Sequence, residues 1–217
     1  MFKSFASDAL GLSDIGKIIP PSQFHQTDID DYIFHEDGEK IYFVIKSKSD
    51  EYCFTNVAFL HLDGQSAVSK KRTLKRYPYR YFTPSNVVIE TAGTMDLDAE
   101  LKFVLLGLGA SNSKNGPIAF SIDIDKNQIE QVRDIYKALT AIAERCANIA
   151  HREHVLNRSF ETVASMFGLK QLPDTVILNL PDIINQTIHQ VEDGYHKRLE
   201  AIRQYDFGEV FEHYLRG

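Results

Sequence analysis

The sequence predicts an α+β chain: a run of short antiparallel strands followed by long amphipathic helices. Three observations predict it. In "MDLDAELKF", Met95, Leu97, Ala99, Leu101 and Phe103 alternate strictly with Asp96, Asp98, Glu100 and Lys102, the period of two of a half-buried strand. Between about residues 28 and 124, β-branched and aromatic runs are separated by turn dipeptides, as in an antiparallel sandwich or barrel. At Asp125 the period lengthens to that of a helix, and Ile129, Val132, Ile135, Tyr136, Leu139, Ile142, Ala143, Cys146, Ile149 and Ala150 mark one face.

The bulk numbers agree with a folded domain plus an extension. The chain has 217 residues, 43% of them hydrophobic and 25% charged, which argues against wholesale disorder. Its net charge of -6 argues against a dedicated nucleic-acid binder, a class that is basic as a rule. Cys53 and Cys146 stand far apart in apolar runs, so two buried free thiols in a reducing cytosol are expected rather than a disulfide framework or a metal cluster. "MFKSFASDALGLS" lacks a basic region ahead of an apolar core, and no stretch approaches the roughly 20 apolar residues of a membrane span. A soluble, cytoplasmic protein is expected.

Taken in order, Phe2, Phe5, Ala6, Ala9 and Leu10 fit a short helix. Its polar face carries Lys3 and Asp8 as its only charges, too few to seek anionic lipid, so packing on protein is expected. Gly11, Gly16 and Pro20-Pro21 then break structure. "YIFHEDGEKIYFVIKSKS" holds two apolar segments around Glu36-Asp37-Gly38-Glu39 and predicts a hairpin. "EYCFTNVAFLHLDG" is strand-like and ends on the turn pair Asp63-Gly64. The basic stretch "KKRTLKRYPYRYF" follows, then "NVVIETAG", the alternating strand, the loop "GLGASNSKNG" and a last strand "PIAFSIDI". Asp125 and Gln128 have capping-box spacing ahead of a long helix, which can continue to Phe167, with Gly168 as its stop. Pro173 and Pro181 bracket a connector. Ile184, Ile188, Val191, Tyr195, Leu199, Ile202 and Tyr205 mark a second helix, which can run to the C-terminus with a weak point at Gly208. The two helices read as a helical hairpin, and their apolar stripes exceed what plugging one small barrel needs, which points to contacts between subunits.

"YCFTN" with "FLHLDG", then "KKRTLKRYPY", then "ETAGTMDLDAELKF", then "GPIAFSI" ahead of a helix together resemble the bacterial pleckstrin-homology (PH) domain family, and the helical tail resembles the extension of its YvbH-like members. The resemblance implies a PH-like seven-stranded, bent antiparallel barrel capped by a C-terminal helix and followed by a long helical hairpin. It divides the chain into a short N-terminal helix or arm (1–20), a PH-like domain (21–145) and a helical extension (146–217). It implies no enzymatic activity and no cofactor, and assembly as ring-like homo-oligomers. The eukaryotic lipid-binding relatives hold phosphoinositides on basic residues in the loop joining their first two strands; here that loop is Glu36-Asp37-Gly38-Glu39, whose charge repels an anion.

The basic stretch is then weighed on its own. As a strand, Lys71, Thr73, Lys75 and Tyr77 point one way and Arg72, Leu74 and Arg76 the other. A solvated edge strand, charged against wrong pairing, accounts for this pattern. A partner contact is the alternative: Lys70, Lys71, Arg72, Lys75, Arg76 and Arg80 on one side, and the acidic strip Glu90, Asp96, Asp98 and Glu100 as the complement. A head-to-tail contact of that kind closes into a ring when the rotation allows. The same six cations are the candidate site of the minority reading, an anionic-lipid or membrane-surface binder.

Other constellations are weaker. Alternate residues along a strand lie about 6.6 Å apart, so Asp96, Asp98 and Glu100 converge poorly on one metal ion. "DIDKNQIEQVRD" has Asp123, Asp125, Asn127 and Asp134 at calcium-loop spacing, but Gln128 stands where the loop needs Gly. His151 with His154, and His189 with His196 around Glu192, lack a third local ligand. "GLGAS" is followed by no Lys-Ser/Thr, and no Ser or Cys stands in a nucleophile context. The expectation is a non-catalytic scaffold without metal or cofactor.

Overall fold

The computed structural model describes residues 14–64, 72–91, 98–107, 116–167 and 180–215. The N-terminal helix expected at 2–10, Lys70, Lys71, Asp96 and the turn at Gly168 lie outside these residues. The chain forms two compact units, one of 1–144 with 205–217 and the other of 145–204.

The first unit holds two antiparallel sheets. Strands β1 (Lys17–Ile18), β2 (Ile41–Lys46), β3 (Glu51–Thr55), β4 (Ala58–Gly64) and β5 (Arg72–Pro78) pair in that order; β6 (Phe82–Thr91), β7 (Asp98–Gly107) and β8 (Ile118–Asp125) make the second sheet. Seven strands thus have five or more residues, and β1 is a two-residue staple. β1 pairs with β2, while Gly16 beside it bridges to Ile124 of β8 and so joins the sheets. A side chain at Gly16 would place its Cβ 2.7 Å from Ile45 Cγ2, so this approach requires glycine.

Both faces of the five-stranded sheet are covered. One face meets the second sheet through edge-to-face aromatics: Phe59 lies 5.2 Å from Phe103 and 4.8 Å from Phe120, ring centre to ring centre. On the other face Ile29 and Ile33 join Val44, Cys53, Ala58, Leu60 and Leu62 in a buried cluster, with Leu74 of β5 packed against it. Ile29 and Ile33 come from the segment 21–37, which forms three 3-10 turns rather than the first arm of the expected hairpin. Only the second arm, "IYFVIK", is a strand. Pro20-Pro21 and four closely spaced aspartates favour short turns stabilised by packing over a paired strand. "EYCFTNVAFLHLDG" also divides, because Thr55 Oγ1 accepts from the Ala58 amide at 3.0 Å, turning the chain at Asn56-Val57.

Helix α1 (Ile129–Phe167) follows β8. Val132, Ile135, Ala138, Leu139 and Ile142 are fully buried on the face that periodicity assigns to the core. Asp125 does cap the entry, accepting from the Asn127 amide. Gln128 does not complete a capping box: its side chain accepts from the Ile18 amide at 2.7 Å and donates to the Ile18 carbonyl at 2.8 Å, locking β1 to the helix start.

The second unit is made of the far part of α1 and helix α2 (Leu180–Ile202). Phe160 and Tyr195 meet at 4.5 Å between them, and Tyr195 Oη donates to Asn157 Oδ1 at 2.7 Å. The second helix does not continue to the C-terminus. It ends at Ile202, and a third helix, α3 (Gly208–Tyr214), begins at the glycine expected to weaken it. Residues 205–215 belong with the barrel, where Phe207, Val210 and Phe211 are at most 2% exposed.

Candidate partner-contact surface

β5 is the last strand of its sheet and pairs only with β4 among the described residues. Arg72, Leu74 and Arg76 face the layer of 3-10 turns, and each arginine meets a carboxylate there. Arg76 Nη2 donates to Glu39 Oε2 at 2.7 Å, and the guanidinium stacks 4.6 Å over the Phe34 ring. Glu39 is 4% exposed and also accepts from the Phe34 amide and Thr55 Oγ1. Arg72 Nη1 lies 2.6 Å from Asp28 and 3.7 Å from Glu51. Glu51, 1% exposed, accepts from the Ile29 amide at 2.8 Å and from Lys46 Nζ at 2.5 Å. Both buried carboxylates therefore have the cation and the hydrogen bonds that burial requires.

Sequence reasoning missed this pairing. Glu39 was expected as an acidic loop charge, and it is instead the buried counter-ion of a basic residue 37 positions away. On the other face of β5, Lys75 meets Asp63 at 3.3 Å, and Tyr77 packs edge-on against Phe82 and Phe120. Arg80 sits in the turn after β5 with its guanidinium 5.2 Å over the Tyr81 ring, and both side chains are exposed. Of the candidate cations, Arg72, Lys75 and Arg76 thus have acidic partners within their own chain, none of them from the expected acidic strip.

The acidic strip lies on the outer face of the second sheet. Glu90, Glu100 and Asp123 stand side by side across three strands, and Asp98 faces Asp125. Lys102 reaches both Glu90, at 2.8 Å, and Glu100, at 2.9 Å. The hydrogen bond from Ser121, then Lys102, holds the Glu100 carboxyl below its ordinary range. Asp123 is pushed the other way, first by burial and then by Asp98 and Glu100. The sheet also carries exposed apolar groups, Val88 at 42% and Leu106 at 41%. An acidic patch bordered by apolar side chains suits a basic protein surface.

Among the described residues no three His, Cys, Asp or Glu side chains gather as a metal site would need. His189 meets Glu192 at 3.6 Å, Asp134 meets Lys137, and Asn127 donates to Asp125. Among the described residues no helix is long and apolar enough to cross a membrane.

The helix pair of the second unit offers another surface. Leu156, Phe160, Val163, Val191 and Tyr195 line a groove of about 310 Å³ along it. Of the residues between 150 and 201 whose burial is described, none is buried, although both helices carry the apolar stripe of a core.

Comparison with known proteins places these features in a family. The model of the bacterial PH domain matches residues 9–143. The uncharacterized protein YvbH of Bacillus subtilis (strain 168) is 45% identical over 99% of both chains. The uncharacterized protein YjqA of the same organism is 32% identical over 49% of this chain and 76% of its own length. The crystal structure of a PH-domain-containing bacterial protein from Exiguobacterium sibiricum 255-15 superposes with a TM-score of 0.74 at 41% identity, covering 94% of this chain and all of that one.

Proposed function

The chain belongs to the bacterial PH domain family, and on that premise we propose that it is a non-catalytic scaffold that works as a homo-oligomer. One observation carries the reading. The helix pair at 150–201 has no buried residue among those described, yet it presents Val155 at 49% and Ile188 at 37% exposure beside an apolar groove. These two helices leave part of their apolar stripes uncovered, and a further helical layer completes such a core.

Charge favours another copy as that layer. Residues 145–204 hold seven basic and seven acidic side chains, while the whole chain carries -6. A neutral hairpin meets its own copy without net repulsion and has little attraction for anionic lipid. At the barrel, the exposed Arg80 and the Glu90–Glu100–Asp123 row lie on different parts of the surface. A contact between them is heterologous and closes into a ring when the rotation allows. The alternative, an anionic-lipid surface on the β5 strip, has weaker support, since Arg72, Lys75 and Arg76 already meet carboxylates.

Light scattering at micromolar concentration is expected to give a mass several times that of one chain. Introducing Phe160→Asp with Val191→Asp is expected to reduce that mass, and with it part of the helical circular dichroism, while the near-ultraviolet dichroism of the barrel aromatics persists. A monomeric parent chain would refute the scaffold reading. Salt-sensitive sedimentation with acidic liposomes would instead favour the lipid surface.

A further inference from the structure

Residues 205–215 return to the barrel after the whole of the second unit has intervened. Their seating has the features of a peptide in a groove. Phe207, Val210 and Phe211 stand at i, i+3 and i+4, the anchor spacing of a helix laid into a docking site. Phe211 stacks on Tyr42 at 4.8 Å and meets Phe43 edge-on at 6.1 Å, and Phe207 packs against Tyr79 at 5.5 Å. The register of β2 shifts between Ile41 and Phe43, and such a bulge re-aims neighbouring side chains; here both rings reach Phe211.

The rim is polar and directional. The Phe207 amide donates to the Asn56 carbonyl at 2.7 Å, Asn56 Nδ2 donates to Asp206 Oδ2 at 2.7 Å, and Tyr42 Oη donates to Glu212 Oε1 at 3.2 Å. A side chain at Gly208 would place its Cβ 2.8 Å from Tyr42 Oη, so the groove reads a glycine after the first anchor. The seven-residue α3 is too short to hold its helix alone in water, and docking is what orders it.

We propose that this barrel end is a docking groove for a short amphipathic helix of the pattern Asp-Phe-Gly-x-Val-Phe, and that its second occupant is the same segment of another copy. The second part rests on the self-association proposed above. Asp206, Phe207, Phe211 and Glu212 make their described contacts outside the segment with barrel residues, so a neighbour's segment can make the same set, as in domain swapping. Only Arg203 and Gln204 separate the end of α2 from the segment. The self-association proposed above supplies the neighbouring copy whose groove such a segment can enter.

Two measurements test the two parts. In the first, the full-length chain carrying Phe207→Ala and Phe211→Ala is titrated with a fluorescent peptide of residues 204–217. Saturable one-to-one binding is expected, about tenfold tighter than to the parent chain, whose own segment competes, and about a hundredfold weaker for a peptide carrying Phe211→Ala. If that variant fails to fold, the parent chain cut at a protease site inserted after Gln204 keeps every groove residue, and its segment is expected to exchange with the peptide. Absence of binding and of exchange overturns the groove. In the second, a chain with Tyr42→Cys and a chain with Glu212→Cys are mixed and oxidised. A disulfide-linked pair on a non-reducing gel is expected. An oligomer by light scattering without that pair overturns the trans occupant, whereas a monomer refutes the scaffold reading and leaves the peptide titration to decide the groove.

Discussion

Glu51 and Arg72 show how unequal two ends of one ion pair can be. Glu51 is 1% exposed and satisfies a backbone amide of the 3-10 layer as well as Lys46, while Arg72 and its other partner Asp28 are 32% and 59% exposed. Glu51→Ala strands a buried amide and a partly desolvated ammonium, and is expected to cost about 3 kcal/mol. Arg72→Ala is expected to cost less than about 1 kcal/mol, since solvent screens its pairs. Urea denaturation of the two variants checks the order. Asp123 and Glu100 set opposite pH trends. The folded-state pKa of Asp123 lies above its ordinary value of 3.8, so the folded chain binds that proton more tightly. Its ionisation therefore costs stability as pH rises through the folded-state pKa, and the cost is absent below the ordinary value. Glu100 is lowered from 4.5, so its contribution is present above that value and is lost as pH falls through the folded-state pKa. Asp123→Asn is expected to gain up to about 1 kcal/mol at neutral pH and Glu100→Gln to lose a similar amount there, both effects fading as pH falls toward about 3. Stability curves against pH check both signs. The residue types of these clusters were legible in the sequence, but their partners were not. Glu39 and Arg76 meet across 37 positions, and no local spacing encodes that distance.

At the scale of elements, periodicity placed β7, β8 and α1 well, because each buries one regular face. It placed the end of α2 poorly. Tyr205 continues the apolar stripe of that helix, yet the chain breaks there and α3 starts at Gly208. The break wins because Asn56 captures both the Phe207 amide and the Asp206 carboxylate, contacts that a continuous helix would forgo. Phe211→Ala is expected to cost about 3–5 kcal/mol, as for a fully buried phenylalanine. Gly208→Ala is expected to destabilise in spite of alanine's better helix propensity, because its methyl meets Tyr42. Thermal unfolding of both variants measures this; a rise in Tm for Gly208→Ala would contradict the close approach at Tyr42. The first arm of the expected hairpin, residues 32–35, lies across 3-10 turns for a related reason. Its apolar residues are those of a strand, but they serve as the lid of a sheet.

At the scale of the whole molecule, the barrel has a fully buried core, whereas the helix pair has no buried side chain among the described residues between 150 and 201. The barrel buries its aromatic centre and the first turns of α1, while the described side chains between 150 and 201 are at most partly buried. Dilution is therefore expected to act on the two units differently: helical signal and compactness of residues 150–201 should fall with oligomer dissociation while the barrel remains folded. Hydrogen exchange at two concentrations checks this, and uniform, concentration-independent protection would contradict it. The sequence by itself determined the α+β class, the order of the later strands, the long helices and the family, since all of these follow from patterns read along the chain. Only the tertiary structure decided which charges neutralise one another, that the acidic stretch around Glu39 supplies a buried counter-ion, and that the last residues return to the barrel. Those outcomes depend on strand register and on surfaces meeting across a hundred residues or more, where burial and hydrogen-bond satisfaction, not local propensity, choose the partner.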